Sequence, residues 1–205
     1  MEVLENRLEI VNEYLAKGMD YGQYRELVDA LTKLDKTTGP EQSATRIEFT
    51  KLNQRRMKRW DKTFKISEVH LNALVRSNTK LTFLVITESW CGDAAASLPV
   101  LNKIAEANPN ISLKVVLRDE SLDLMEAFLT HGAKAIPKVI IINEDVDEII
   151  GEWGPRPSIA TKMVQVCKAE HGKLTEEFKQ DLQVWYNKNK GENILTDILK
   201  LLPLE

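Results

Sequence analysis

Two cysteines and three histidines are the natural nucleophile and ligand candidates in this chain of 205 residues. Cys91 has the more informative setting. It stands in Ser89-Trp90-Cys91-Gly92-Asp93, directly after the apolar run LTFLVITE and directly before AAASLPVLNKIAEA. A thiol between a buried strand and the first turn of a helix meets unpaired backbone N–H groups and the positive end of the helix dipole. Both favour the thiolate, which is the nucleophilic form. Gly92 allows a tight turn that leaves the sulfur accessible. Asp93 is a candidate cap for that helix, and its charge works against the thiolate. On balance the position predicts a lowered thiol pKa.

The remaining candidates have plainer readings. Cys167 lies on an apolar stripe with Ile159, Met163 and Val166, where a free cysteine acts as a small buried hydrophobe. A bridge to Cys91 would need Cα atoms within about 7 Å. His70, His131 and His171 show no metal-ligand spacing, and structural zinc takes about four close ligands, so no metal and no cofactor are expected. His131, before Gly132, is read as meeting a helix C-terminus. Between Arg46 and Lys65 lie eight basic residues against Glu48 and Asp61. Arg55, Arg56, Lys58 and Arg59 fall around much of a helix, which gives no narrow nucleic-acid-reading face. A solvated helix packed through Leu52 and Trp60 is the expectation. Such a patch also suits an acidic partner or an anionic low-molecular-weight thiol near Cys91.

Helices dominate the first third. Leu4, Leu8, Val11 and Leu15 recur at helical spacing and stop at Gly18; Tyr24, Leu27, Val28, Leu31 and Leu34 mark a second helix that ends before Thr37-Thr38-Gly39-Pro40. A third is expected over about 41–62, and a fourth after Ser67 as cap. From Lys80 the texture changes to a strand buried on both faces. A helix over about 93–107, a strand at ISLKVVLR, a helix over 121–131, and strands at KVIIIN and DEIIGEW follow. Glu144-Asp145 is a candidate hairpin turn between the last two. Further helices close the chain after Pro157. The order β-α-β-α-β-β-α predicts an α/β fold, a central mixed sheet with helices on both faces.

The Cys91 junction resembles the active-site region of the thioredoxin superfamily, and especially bacterial thioredoxin-like proteins carrying Trp-Cys-Gly-Asp. The match runs in register over about 66–168. Pro99 falls eight residues after Cys91, where thioredoxins kink the active-site helix; Ala135-Ile136-Pro137 precedes a strand, as the family's cis-proline does; Gly151 and Gly154 flank the last strand. The resemblance implies that Ile136 and Pro137, with Trp90, Gly92 and Gly154, shape a substrate groove beside Cys91, peptide pairing with the Ile136 main chain in strand-like fashion. Two departures matter. Ala94 stands where the family's second cysteine would be, and Val85 where its buried acid would be. A mixed disulfide at Cys91 then has no resolving thiol within the motif.

These readings divide the chain into a helical extension (1–65), a thioredoxin-like domain (66–168) and C-terminal helices (169–205). Single-cysteine thiol–disulfide exchange through Cys91, with Asp93 and Ala94 modifying the motif, is the first functional expectation. Its partners would be proteins or low-molecular-weight thiols and disulfides. The competing class is a non-catalytic binding or scaffolding module that keeps the groove. Iron–sulfur binding is not expected. Lys+Arg total 28 against 31 Asp+Glu, a formal charge of −3, which excludes a globally basic nucleic-acid binder. No stretch reaches the roughly 18 apolar residues of a membrane span, and the start lacks a cationic n-region with an apolar h-region. A bacterial cytoplasm is the expected compartment, where cysteines stay reduced. The apolar terminal helices permit a homodimer.

Overall fold

The computed structural model describes residues 2–204; the side chains of the first six residues, Leu4 among them, lie outside the description. Four helices come first: α1 (Glu2–Lys17), α2 (Tyr21–Lys33), α3 (Ala44–Thr63) and α4 (Glu68–Arg76). The sheet elements follow as β1 (Leu81–Thr87), α5 (Ala94–Ala107), β2 (Ile111–Leu117), α6 (Leu122–Ala127), β3 (Lys138–Asn143) and β4 (Glu148–Trp153). Helices α7 (Ser158–His171), α8 (Glu176–Asn189) and α9 (Glu192–Leu199) close the chain.

Local chemistry fixes several of these boundaries. Asp20 and Gln23 form a reciprocal capping box at the start of α2: the Gln23 amide donates to Asp20 Oδ1 at 2.8 Å, and the Asp20 amide to Gln23 Oε1 at 2.9 Å. Ser43 caps α3 through the Arg46 amide. Ser67 precedes α4 but makes no capping bond; its hydroxyl meets His70 Nδ1 at 3.2 Å instead. Helix α6 ends earlier than its apolar pattern predicts. Phe128 leaves helical geometry at φ −129°, and Thr130 and Ala133 close a turn with two backbone bonds of 3.0 Å. His131 therefore sits at φ 50° in an exposed turn, away from a helix C-terminus.

The sheet order is β2-β1-β3-β4. β1 runs parallel to β2 and antiparallel to β3, and β3 is antiparallel to β4. All seven residues of β1 are buried. Side chains of a strand alternate between faces, so helices cover the central strand on both sides. α1 packs on β1 and β2, and α5 packs on β2 with α3, α4 and α9 behind it. The β3–β4 connection is a four-residue turn over 144–147, anchored where the Lys80 amide donates to Asp145 Oδ2 at 2.9 Å. Tyr24, Val28, Met57 and Trp60 from the first third join Phe83, Leu98 and Ile140 in one apolar cluster. This architecture is a thioredoxin-like fold with added helices. No described helix is long and apolar enough to cross a membrane.

Candidate functional site

The strand-to-helix turn at 88–93 is held from both sides. The Cys91 amide donates to the Glu88 carbonyl at 3.0 Å, closing the turn ahead of α5. Ser89 is a buried hub. Its Oγ lies 3.1 Å from Thr37 Oγ1 and 2.8 Å from Thr50 Oγ1, and accepts from the Thr38 amide at 3.1 Å; its carbonyl accepts from Asn53 Nδ2 at 2.9 Å. The segment Thr37–Pro40, read in sequence only as a helix stop, is thus a polar clamp on the turn. Trp90 carries two guanidinium groups near its ring, with Arg46 at 4.4 Å and Arg118 at 5.0 Å from the ring centroid. Both cations lie within the reach at which the ring quadrupole attracts them.

Cys91 itself is only 7% exposed. Its Sγ donates to the Ile136 carbonyl at 3.4 Å, so the sulfur and the segment before Pro137 are neighbours. The Ile136–Pro137 bond is cis. Gly154, at φ 114°, backs this segment: a Cβ there would stand 2.2 Å from the Pro137 carbonyl oxygen, a distance only glycine tolerates. Cys91, Ile136, Pro137 and Gly154 therefore come together at one end of the sheet. Ala94 is buried in the first turn of α5. Cys167 sits on α7 with its Sγ turned to the Lys173 carbonyl at 3.6 Å, and both thiols are free.

Asp93 corrects its expected role. It makes no side-chain cap on α5. Its carboxylate is buried, with Oδ2 2.7 Å from Arg156 Nη2 and Oδ1 accepting from the Tyr186 hydroxyl at 2.9 Å. The requirement to pair a buried charge outweighs a local cap. Burial holds the Asp93 pKa above the ordinary carboxyl value, with Arg156 and Tyr186 working against that rise. Tyr186 is pushed well above the ordinary phenol by burial and by the Asp93 charge, and remains a donor.

The Cys91 thiol is likewise not lowered. Burial first, then the Asp93 charge, push it from 9.0 up to about 12; the backbone N–H groups of Asp93 and Ala94 and the Arg156 charge act in the opposite sense but are outweighed. The backbone N–H groups at the helix start do lower the pKa, but burial is the larger effect. Desolvation favours the neutral thiol. Tyr24, fully buried on α2, is raised above the ordinary phenol by its own burial first and then by the Cys91 and Glu88 charges. Glu88 is also buried, its Oε1 accepting from the Asp119 amide at 2.9 Å, and burial raises its pKa.

Arg156, Tyr186 and Gln183 are absent from the sequence reading, and Arg56 enters it only within the basic helix, with an anionic thiol near Cys91 among its expected partners. Arg156 follows Gly154-Pro155 and was within reach of the motif reading. Tyr186 lies 93 residues from Asp93, and no local pattern joins them. Arg56 Nη1 and Gln183 Nε2 stand over Gly92: a Cβ built there would lie 3.6 Å and 3.9 Å from them. Of the basic run, Arg46 thus serves Trp90, and Arg56 faces the turn.

Comparison with known proteins agrees with this geometry. A family model described as thioredoxin matches residues 39–171, well over half of the chain. The chain belongs to the thioredoxin family. The match begins ahead of α3, the helix that packs on α5. A protein of unknown function from Pseudomonas aeruginosa is 19% identical, with a TM-score of 0.56 over 90% of this chain and 91% of that one. The crystal structure of an HIV epitope-scaffold is 18% identical, with a TM-score of 0.58 over 93% and 95%. At such identities the likeness is one of fold. No curated protein matches the chain.

Proposed function

We propose that Cys91 is the single sulfur of a thiol–disulfide exchange site. The observation that carries this reading is the placement of Sγ, 3.4 Å from the Ile136 carbonyl at the head of α5, in a chain of the thioredoxin family. In the first step Cys91 loses its proton and attacks one sulfur of a disulfide R–S–S–R′. The old S–S bond breaks, the Cys91–S–S–R bond forms, and R′S⁻ leaves and takes up a proton as R′SH. Cys91 is oxidised and one half of the disulfide is reduced. In the second step a thiol from outside attacks the mixed disulfide and returns Cys91 as a thiol, because Ala94 supplies no sulfur.

The raised pKa sets the pace. Going from 9.0 to about 12 cuts the thiolate at neutral pH by roughly 10³-fold, and the greater basicity returns roughly 20-fold, a net slowing of roughly 50-fold against an ordinary thiol. Exchange at Cys91 is therefore slow at neutral pH and accelerates in base. The same 7% exposure favours a second reading, a groove that binds a client without turnover.

Introducing the missing sulfur separates the two. Ala94→Cys places a thiol one helical turn from Cys91, within bridging reach in this fold. With dithiothreitol as reductant, wild type should reduce insulin disulfides at near-background rate. Ala94→Cys should raise that rate several-fold, and on oxidation its new thiol should form a disulfide with Cys91. Adding Cys91→Ser should abolish the gain. A variant that folds, as judged by its thermal transition, yet forms no bridge and gains no activity would favour the binding reading. A wild type as fast as the variant would overturn the single-sulfur mechanism.

A further inference from the structure

A groove of about 540 Å³, walled by α3 and α8, is floored by Trp90, Gly92 and Asp93, the residues that flank the buried Cys91. That volume suits a small molecule, whose sites commonly run to about 300–1,000 Å³. Its charges do not cancel. Arg156 is matched by Asp93 at 2.7 Å, and Lys179 by Glu176 at 2.5 Å. Arg56 is different. It donates to Asn53 Oδ1 at 3.2 Å, and among the described residues no carboxylate lies within ion-pair distance of it. Arg59 adds a like charge on the same helix, its guanidinium donating to the neutral Asn187. Burial and the Arg59 charge hold the Arg56 pKa below the ordinary guanidinium value, with Asp93 acting the other way. An anion entering the groove would therefore meet a half-buried guanidinium that no direct ion pair occupies.

The donors also converge. Arg56 Nη1 and Gln183 Nε2 point into the space over Gly92, the residue after the reactive sulfur, where the missing side chain leaves room. A carboxylate there would receive charge-assisted hydrogen bonds from both, while the sulfur end of the same molecule reached Cys91. A neutral or cationic thiol would leave Arg56 unpaired.

We infer that this groove selects small disulfides and thiols bearing a carboxylate, which Arg56 and Gln183 hold while Cys91 exchanges with the sulfur. The inference rests on the exchange reading of Cys91 and names its substrate class. The covalent step is the one written above, with R the carboxylate-bearing half; a second molecule of the same thiol, RSH, releases Cys91 and carries R away as R–S–S–R.

The test compares oxidised glutathione, which is anionic, with the uncharged 2-hydroxyethyl disulfide, using intact mass to follow adduct formation in full-length protein with Cys167→Ala. Wild type should favour the anionic disulfide, after correction for each reagent's reaction with a free cysteine peptide, by about tenfold or more at low salt, and the preference should shrink with added salt. Arg56→Gln should lower the ratio of the two rates about tenfold, and Arg56→Lys should keep most of it. A purely structural effect would lower both rates together and leave the ratio. A wild type that reacts with both reagents in the same corrected ratio as the free peptide would overturn the inference while sparing the exchange reading. If Cys91 reacts with neither, S-methylglutathione, which cannot exchange, decides the groove by NMR titration: shifts at Gly92 and Gln183 that vanish in Arg56→Gln would support it, and their absence would end it.

Discussion

At the scale of single residues, the chemistry of Cys91 is set by a contest that only three-dimensional packing decides. The sequence places the thiol at a helix start, and the backbone N–H groups do lower its pKa there, but burial and Asp93 outweigh them and push it up to about 12. This makes a signed prediction. Asp93→Asn removes a raising charge and leaves Arg156 without its partner, so Cys91 should alkylate roughly tenfold faster at pH 8. Arg156→Met removes a lowering charge and should slow it. Iodoacetamide kinetics on proteins also carrying Cys167→Ala would read both. The Asp93 change should cost about 2 kcal/mol of stability, because it removes the charged partner of the half-buried Arg156 guanidinium. Opposite signs for the two substitutions are the discriminating result; equal changes would mean that the ion pair does not act on the sulfur.

At the scale of elements, helices and strands were legible wherever periodicity carried them. β1 reads as a buried apolar run, and every one of its seven residues is buried. The polar clamp was not legible. Thr37, Thr38 and Thr50 are hydroxyl residues whose sequence pattern says only turn or helix surface, yet all three converge on Ser89. Hydrogen-bond partners distant in sequence leave no local signature. The clamp ties the α2–α3 connection and α3 to the turn that carries Cys91. Ser89→Ala should remove the hydroxyl that the three threonines share and leave the Thr38 amide without its acceptor, while the Thr37–Thr50 bond and the residue-89 amide's bond to Thr38 Oγ1 persist. It should destabilise the fold by about 2 kcal/mol, lowering the urea midpoint with little change in slope. A midpoint shifted by less than a few tenths of that would show the clamp to be replaceable by water.

At the scale of the whole molecule, helices far from the Cys91 turn in sequence bring side chains to it. The α2–α3 connection brings Thr38 to Ser89, α3 brings Arg56 over Gly92, and α8 brings Tyr186 to Asp93. The motif Trp90-Cys91-Gly92 and the Ile136-Pro137 segment could be found from sequence because each is compact and sits at a strand end. Tyr186 could not, since its pairing depends on how the last helices close over the groove. The result is a thioredoxin fold in which the sulfur sits under helices from both ends of the chain and is kept as a thiol. That arrangement gives a steep pH signature. With a pKa of about 12, the thiolate fraction rises about tenfold per pH unit throughout the neutral and mildly alkaline range, without a plateau. The most direct measurement is the rate of mixed-disulfide formation between the full-length protein and 2-hydroxyethyl disulfide from pH 6 to 10, followed by intact mass with peptide mapping, in wild type, Cys167→Ala and Cys91→Ser. Exchange through Cys91 predicts an adduct on that residue in the first two proteins, with a rate still climbing about tenfold per unit at pH 10. A folded Cys167→Ala protein that forms no adduct at Cys91 anywhere in that range would contradict the exchange, and a rate that levels off below pH 8 would contradict the raised pKa.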